Sequence, residues 1–238
     1  MPEHVRAIIM AGGRSERMRA TAGPLHKALV PVLGMPLLER NLRVLLSEGF
    51  RDIVVAISKA EPQIGEFLDA LRPIANSHGA HLQILWEETP LGTIGAARPA
   101  IAGADTLLVV NVDNLTALPL RAFVEFHCEQ LAELTIAAHE EHFQIPFGEL
   151  DLCGHHVRRY IEKPLKPIWI SSGTYVLSRA ACELIPEGQR TDVPQLVSAL
   201  IATGEHIAAF RHNSAWIDVN HAEAVKKAET LIGYAARP

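Results

Sequence analysis

Ala7-Ile8-Ile9-Met10-Ala11-Gly12-Gly13-Arg14-Ser15-Glu16-Arg17-Met18, followed by His26-Lys27-Ala28-Leu29-Val30-Pro31-Val32, decides the reading of this chain. An apolar strand runs straight into a glycine pair flanked by basic residues. Glycines let the backbone approach an anion closely and reach φ > 0, so successive N–H groups can point inward. Arg14, Arg17 and Lys27 add positive charge to that cradle. Its natural occupant is a nucleoside triphosphate. The spacing matches neither the GxxxxGK[ST] of a P-loop nor the GxGxxG of a dinucleotide fold. A tight βα turn with solvated arginines would give the same local pattern, so the rest of the chain has to discriminate.

The chain has 238 residues, 48% hydrophobic and 21% charged, a balance that fits one large α/β domain with a well-buried core. The formal net charge of −5 excludes a general nucleic-acid binder, which needs a surplus of Lys and Arg to displace counterions. Runs such as Thr106 to Val110 are too short to span a bilayer. Glu3, His4 and Arg6 interrupt the start, so no secretory leader is expected and the reading is a cytoplasmic protein without a membrane partner. Cys128, Cys153 and Cys182 are odd in number and far apart, and read as reduced, partly buried thiols. His139 and His142 are the histidines spaced to suggest a metal pair; in a polar His-Glu-Glu-His segment they read instead as a solvated loop.

Strand signals recur at Ala7 to Met10, Ile53 to Ile57, Leu82 to Trp86, Leu107 to Asn111 and Leu134 to Ala138, with helical patterns between the first four. Pro36 to Glu48 and Glu61 to Asn76 each carry an apolar helical face, the second expected to kink or shorten at Pro73. This βαβ alternation predicts a mainly parallel, Rossmann-like sheet with helices on both faces. Ligands of such sheets bind beyond the carboxyl ends of the strands. From Ile145 to Leu177 the pattern becomes hairpin-like, with Gly148, Gly154 and a Pro164/Pro167 turn between short strands. A helix at Val193 to Ala202, strands at Ile207 to Phe210 and Trp216 to Val219, and a helix from Ala222 to Ile232 complete the pattern. The organisation is one domain over 1–238, with a nucleotide-binding part to about 140, an antiparallel lobe from about 141 to 220 and a terminal helix over about 221–233.

The strand ends carry Gly12/Gly13, Glu87/Glu88 before Pro90-Leu91-Gly92-Thr93, and Asn111-Val112-Asp113-Asn114. The later part adds Glu162-Lys163-Pro164, Ser171-Ser172-Gly173-Thr174-Tyr175 and Trp216-Ile217-Asp218-Val219-Asn220. Taken alone, Asp113 could be a helix cap or a carboxylate awaiting Mg²⁺ or a ribose hydroxyl, and Asp218 a polar strand end. In this order, over nearly the whole chain, the motifs resemble the sugar-1-phosphate nucleotidylyltransferases, and among them the short mannose- and heptose-1-phosphate guanylyltransferases.

The resemblance implies roles residue by residue. Ala11, Gly12, Gly13, Arg14 and Ser15 would form the nucleotide loop, with Pro90, Gly92 and Thr93 as the base-binding turn. Asp113 and Asp218 would be ligands of Mg²⁺, a hard cation that keeps waters and also takes phosphate oxygens. Asn111, Gly148, Glu162, Ser171, Gly173 and Tyr175 would line the sugar pocket, and Lys163 would hold the sugar's phosphate. Glu87, three residues before Pro90, would meet the base edge. A carboxylate accepts two parallel N–H bonds and so suits guanine better than uracil, favouring GTP over UTP. The chain departs from the family pattern at Ser15, where a glycine is usual, at Ser171, where many relatives have Asn, and at Asn220-His221-Ala222, where Gly-Thr-Pro is usual.

The implied reaction is in-line attack of a sugar-1-phosphate oxygen on the α-phosphorus of the triphosphate, releasing pyrophosphate. Mg²⁺, Arg17, Lys27 and Lys163 would stabilise the developing charge, Arg17 at the leaving pyrophosphate and Lys27 at the α-phosphate. The catalytic domain is expected without an appended β-helix or acyltransferase, with a homodimer as the candidate assembly. Three other readings compete. Ser15, Arg17-Met18 and Lys27-Ala28-Leu29 also resemble the molybdenum-cofactor guanylyltransferases, which lack the Glu-Lys-Pro and Trp-x-Asp patterns. A catalytically silent, nucleotide-sugar-sensing subunit would have lost its charges freely. A dinucleotide oxidoreductase is disfavoured by the missing third glycine and by Ile57-Ser58-Lys59, which ends the second strand without an acid.

Overall fold

A computed structural model describes residues 4–235. Strand β1 (Val5–Ala11) leads through the glycine loop into α1 (Glu16–Ala22) and a single 3₁₀ turn at Lys27–Leu29. The short β2 (Pro31–Val32) and β3 (Met35–Pro36) precede α2 (Leu37–Ser47), β4 (Asp52–Ser58), α3 (Pro62–Ser77) and β5 (His81–Glu87). Next come α4 (Ala97–Ala100), β6 (Thr106–Asn111), β7 (Asn114–Thr116), α5 (Leu120–Gln130) and β8 (Leu134–Gln144). The chain continues through β9 (Glu149–Cys153), β10 (His156–Ile161), β11 (Leu165–Ser178), α6 (Arg179–Glu183) and α7 (Val193–Thr203). It closes with β12 (Ile207–His212), β13 (Trp216–Asp218) and α8 (Ala222–Ala235).

The central sheet has seven strands in the order β12-β8-β11-β6-β1-β4-β5. Parallel pairs join β6, β1, β4 and β5, and β11 runs antiparallel to both of its neighbours. Alternating residues of β1 face two apolar layers. Ala7, Ile9 and Ala11 pack with Leu38 and Leu42 of α2, Leu68 of α3 and Phe123 of α5. Ile8 and Met10 pack with Ala97 of α4, Cys182 of α6 and Leu196 of α7. Strands buried on both faces read as continuous apolar runs, which is why the parallel half is visible in the sequence. No helix among the described residues is long and apolar enough to cross a membrane.

Five local expectations are corrected. The connection between β5 and β6 holds only the four-residue α4 as α-helix. Helix α3 runs through Pro73 to Ser77, because Pro73 faces solvent while Leu71 and Ala75 keep the helix anchored on both sides. His139 to His142 belong to β8, paired with Ile170 to Pro167 of β11. Residues three apart in a strand point to opposite faces, so these histidines cannot share a cation. Pro167 likewise lies inside β11, leaving Glu162 to Pro164 as the turn. Cys153 is exposed rather than partly buried.

Candidate active site

The glycine loop, the Pro90 turn, Asp113 and Asp218 converge on a cleft of about 560 Å³ at the carboxyl ends of β1, β5 and β6. Gly12, Gly13, Arg14, Ser15 and Arg17 form one wall, and Ala11 is wholly buried behind them as the last residue of β1. Ser15 adopts φ 55° before α1, the left-handed backbone that makes glycine usual at such a position. Its hydroxyl accepts a hydrogen bond from Lys27 N (3.1 Å). The buried His26 ring bridges the same loops: Nε2 lies 2.6 Å from Gly13 O, and Nδ1 accepts from Ala28 N (3.1 Å). That pairing assigns the proton to Nε2. Burial holds the His26 pKa below its ordinary value, consistent with a neutral ring.

Glu87 crosses over the glycine loop from the end of β5. A Cβ on Gly12 would meet the Glu87 carboxylate, so a larger residue there would displace the end of that side chain. Glu87 is only 3% exposed. Its Oε2 accepts from Leu91 N (3.1 Å), whereas Oε1 is buried without a hydrogen-bond partner. Burial raises the Glu87 pKa above the usual carboxylate value, an effect the Leu91 N–H opposes. A buried acceptor left unpaired costs free energy that a ligand donor recovers.

The opposite end of the cleft carries the charged cluster. Lys27 Nζ sits 2.6 Å from Asp113 Oδ2. Strand β13 pairs with β7, and Val219 N donates to Asp113 O (2.8 Å), which brings Asp218 beside Asp113 from a hundred residues away in sequence. Burial and the Asp113 charge raise the Asp218 pKa, with Lys27, Arg17 and the Asn220 hydrogen bond (2.6 Å) opposing them. Asp218 Oδ1 is buried without a partner. Two adjacent carboxylates with one orphaned oxygen suit a divalent cation that takes its remaining ligands from water and phosphate. Among the described residues no cluster of three or more His, Cys, Asp or Glu offers a metal cage.

None of the expected sugar-side residues is among those that line the cleft. Asn111 and Asn114 lie against Gly173, which has φ +73°, at a break in the β8–β11 register. Ser171 Oγ donates to Tyr175 Oη (3.0 Å), and the body of Tyr175 packs in the core. Gly148 is covered by the Tyr160 ring, and Tyr160 Oη donates to Glu162 (2.9 Å). Gly148, Glu162 and Lys163 do not line the cleft that holds Lys27 and Asp113; Lys163 is exposed, in a left-handed turn with φ 44°.

Sequence reasoning missed the residues that brace the site from elsewhere. Asn41 of α2 donates to Val112 O (2.9 Å), fixing the turn that presents Asp113. Arg190 and Asp192 line the cleft beside Pro90, Gly92 and Thr93. Burial acts to raise the Asp192 pKa, yet hydrogen bonds from Thr93 and Arg190 and the Arg190 charge outweigh it and hold the carboxyl below its usual value. No local motif marks any of these three. The Asp-x-Pro-Gln start of α7 reveals only that Asp192 caps a helix.

Comparison with known proteins places this geometry in a family. The chain is 28% identical over 226 residues to the mannose-1-phosphate guanyltransferase of Pichia angusta, covering 90% of this chain and 60% of that protein. It is 28% identical over 229 residues to the mannose-1-phosphate guanylyltransferase of Mycobacterium tuberculosis, covering 92% and 62%. It thus spans about 60% of the length of these curated relatives. The solved structure of HddC from Yersinia pseudotuberculosis complexed with GMP-PN superposes with a TM-score of 0.71 at 26% identity, covering 95% of this chain and 99% of that one. The nucleotidyl transferase family matches residues 6–233, and the chain belongs to that family.

Proposed function

We propose that this chain transfers a guanylyl group from GTP to a sugar 1-phosphate, giving a GDP-sugar and pyrophosphate. One observation carries the reading: a single cleft is lined by the Glu87 carboxylate at one end and by the Lys27, Asp113 and Asp218 cluster at the other. The first end suits a base edge that donates N–H groups, the second a polyphosphate. The names of the curated relatives and the GMP-PN complex of HddC support guanine, and they make mannose 1-phosphate the first sugar to test.

A phosphate oxygen of the sugar 1-phosphate attacks the α-phosphorus in line with the bond to the bridging oxygen of the β-phosphate. That bond breaks, and the electron pair leaves on pyrophosphate. The glycine loop presents N–H groups to the phosphates, Arg14 and Arg17 stand at its rim for the leaving group, and Lys27 faces the α-phosphate. Asp113 and Asp218 would hold Mg²⁺, which when bound neutralises charge on the phosphate oxygens. Asn111, Gly173 and Ser171 are assigned to the sugar hydroxyls, and Lys163 with Glu162 to the outer side of the sugar phosphate and ring. Purified protein incubated with Mg²⁺, each of the four common triphosphates, and mannose or glucose 1-phosphate tests the proposal. The expected result is equimolar GDP-sugar and pyrophosphate that require both substrates. No pyrophosphate from any pair would overturn the proposal.

A further inference from the structure

The segment Gln189 to Val193, about a hundred residues downstream of the Pro90 turn, closes over that turn in a ladder of hydrogen bonds. Thr191 N donates to Leu91 O (2.9 Å), and Ile94 N donates to Thr191 O (3.1 Å). Asp192 Oδ1 accepts from Thr93 N (2.9 Å), and Thr93 Oγ1 accepts from Val193 N (3.0 Å). Gly92, at φ +83°, has no room for a Cβ against Thr191 O and Asp192 Oδ1. The Leu91 residue is therefore gripped on both sides, its carbonyl by Thr191 and its N–H by Glu87 Oε2. That second grip holds the Glu87 carboxylate in the cleft wall, with Oε2 paired and Oε1 buried without a partner.

We infer that Asp192 is a positioning residue for nucleotide selection: by clamping Thr93 it holds the Pro90–Thr93 turn and, through Leu91, sets the position of the Glu87 carboxylate that lines the base end of the cleft. The inference rests on the guanylyltransfer reading and adds Asp192, a residue of the cleft wall, to it. Asp192 also caps α7, sharing a capping box with Gln195, whose Oε1 accepts from Asp192 N (2.7 Å). A cap alone would affect stability; a clamp on the turn must affect the triphosphate selectively.

The test is steady-state kinetics on Asp192→Ala, Asp192→Asn and Gln195→Ala, with KM for GTP, KM for the sugar 1-phosphate and the GTP/UTP ratio of kcat/KM as readouts. Losing one hydrogen bond to a charged acceptor is worth about tenfold. Asp192→Ala should raise KM for GTP by about that factor and narrow the GTP/UTP ratio, with kcat and the sugar-phosphate KM nearly unchanged. Asp192→Asn, which keeps an acceptor for Thr93 N, should recover most of the loss. Gln195→Ala, which breaks the capping box and leaves the Thr93 contact, should lower melting temperature without moving KM. If Asp192→Ala matches wild type, or if Gln195→Ala reproduces its kinetic defect, the inference fails while guanylyltransfer stands. If the wild-type protein turns over no triphosphate, the transfer reading and the inference fail together.

Discussion

The two ends of the substrate path are built by opposite means. At the nucleotide end the functional groups sit where parallel strands stop, range from the buried Glu87 to the exposed Arg14 and Arg17, and are fixed by hydrogen bonds from other segments: His26 to the glycine loop, Asn41 to Val112, Asp192 to Thr93. The lobe formed by β9, β10 and the outer halves of β8 and β11 is open. Leu150, Leu152, Val157 and Tyr160 are exposed on the β9–β10 hairpin, and Glu162 and Lys163 lie on an exposed turn. A rigid end recognises by complementarity already in place, whereas an exposed lobe must still order its side chains around the ligand and spends part of the contact energy doing so. Changes at the nucleotide end should therefore lower kcat and base discrimination, and changes in the lobe should raise KM for the sugar phosphate.

The largest effect should come from Lys27→Ala. The side chain is 21% exposed, paired with Asp113, and assigned to the expected α-phosphate. Loss of one preorganised charge-stabilising donor costs about 100- to 1,000-fold in kcat. Melting temperature should change little, and a near-normal kcat would remove Lys27 from the mechanism. Asp113→Ala and Asp218→Ala come next, each lowering Mg²⁺-dependent turnover severely. If both serve one ion, the double variant is scarcely worse than either single, and independent, multiplicative losses at saturating Mg²⁺ would assign them separate tasks.

Lys163→Ala contrasts the two ends most plainly. An exposed lysine that meets the sugar phosphate should, when removed, raise KM for the sugar 1-phosphate about tenfold and leave KM for GTP alone. An equal rise in both would mean that the turn bearing Lys163 serves the nucleotide. A smaller effect concerns stability. His26, His127 and His212 are held neutral chiefly by burial, His127 pushed down to about 4 from an ordinary 6.5. The unfolded chain then binds more protons in acid, so stability is full above about pH 6.5 and falls as the pH drops toward 4. Thermal melts at stepped pH should show this slope, and His127→Asn should flatten part of it.

The same contrast explains what is legible in the sequence. Parallel strands buried on both faces announce themselves as short apolar runs, and the polar or glycine residue at the end of each run, Gly12, Glu87 or Asp113, lies at the site by the topology of such sheets. The full length of β8 is hidden because its outer half, His139 to Gln144, is polar and becomes a strand only through pairing with β11. Lys163 and Gly148 can be named only by resemblance, since nothing local separates an exposed lysine or a hairpin glycine that binds a ligand from one that does not. Asp192 and Asn41 escape because their partners lie 71 to 100 residues away, contacts that no periodicity encodes.

The central claim is that the nucleotide end reads guanine through the Glu87 carboxylate that lines the cleft. Glu87→Gln conserves shape and exchanges one acceptor for a donor, so the GTP/UTP ratio of kcat/KM, measured side by side in wild type and variant, tests it most directly. The prediction is a loss of about 1.5–3 kcal/mol in discrimination, the worth of a hydrogen bond to a charged group, with little change for UTP. An unchanged ratio would contradict the account and move base recognition to the backbone around Gly92.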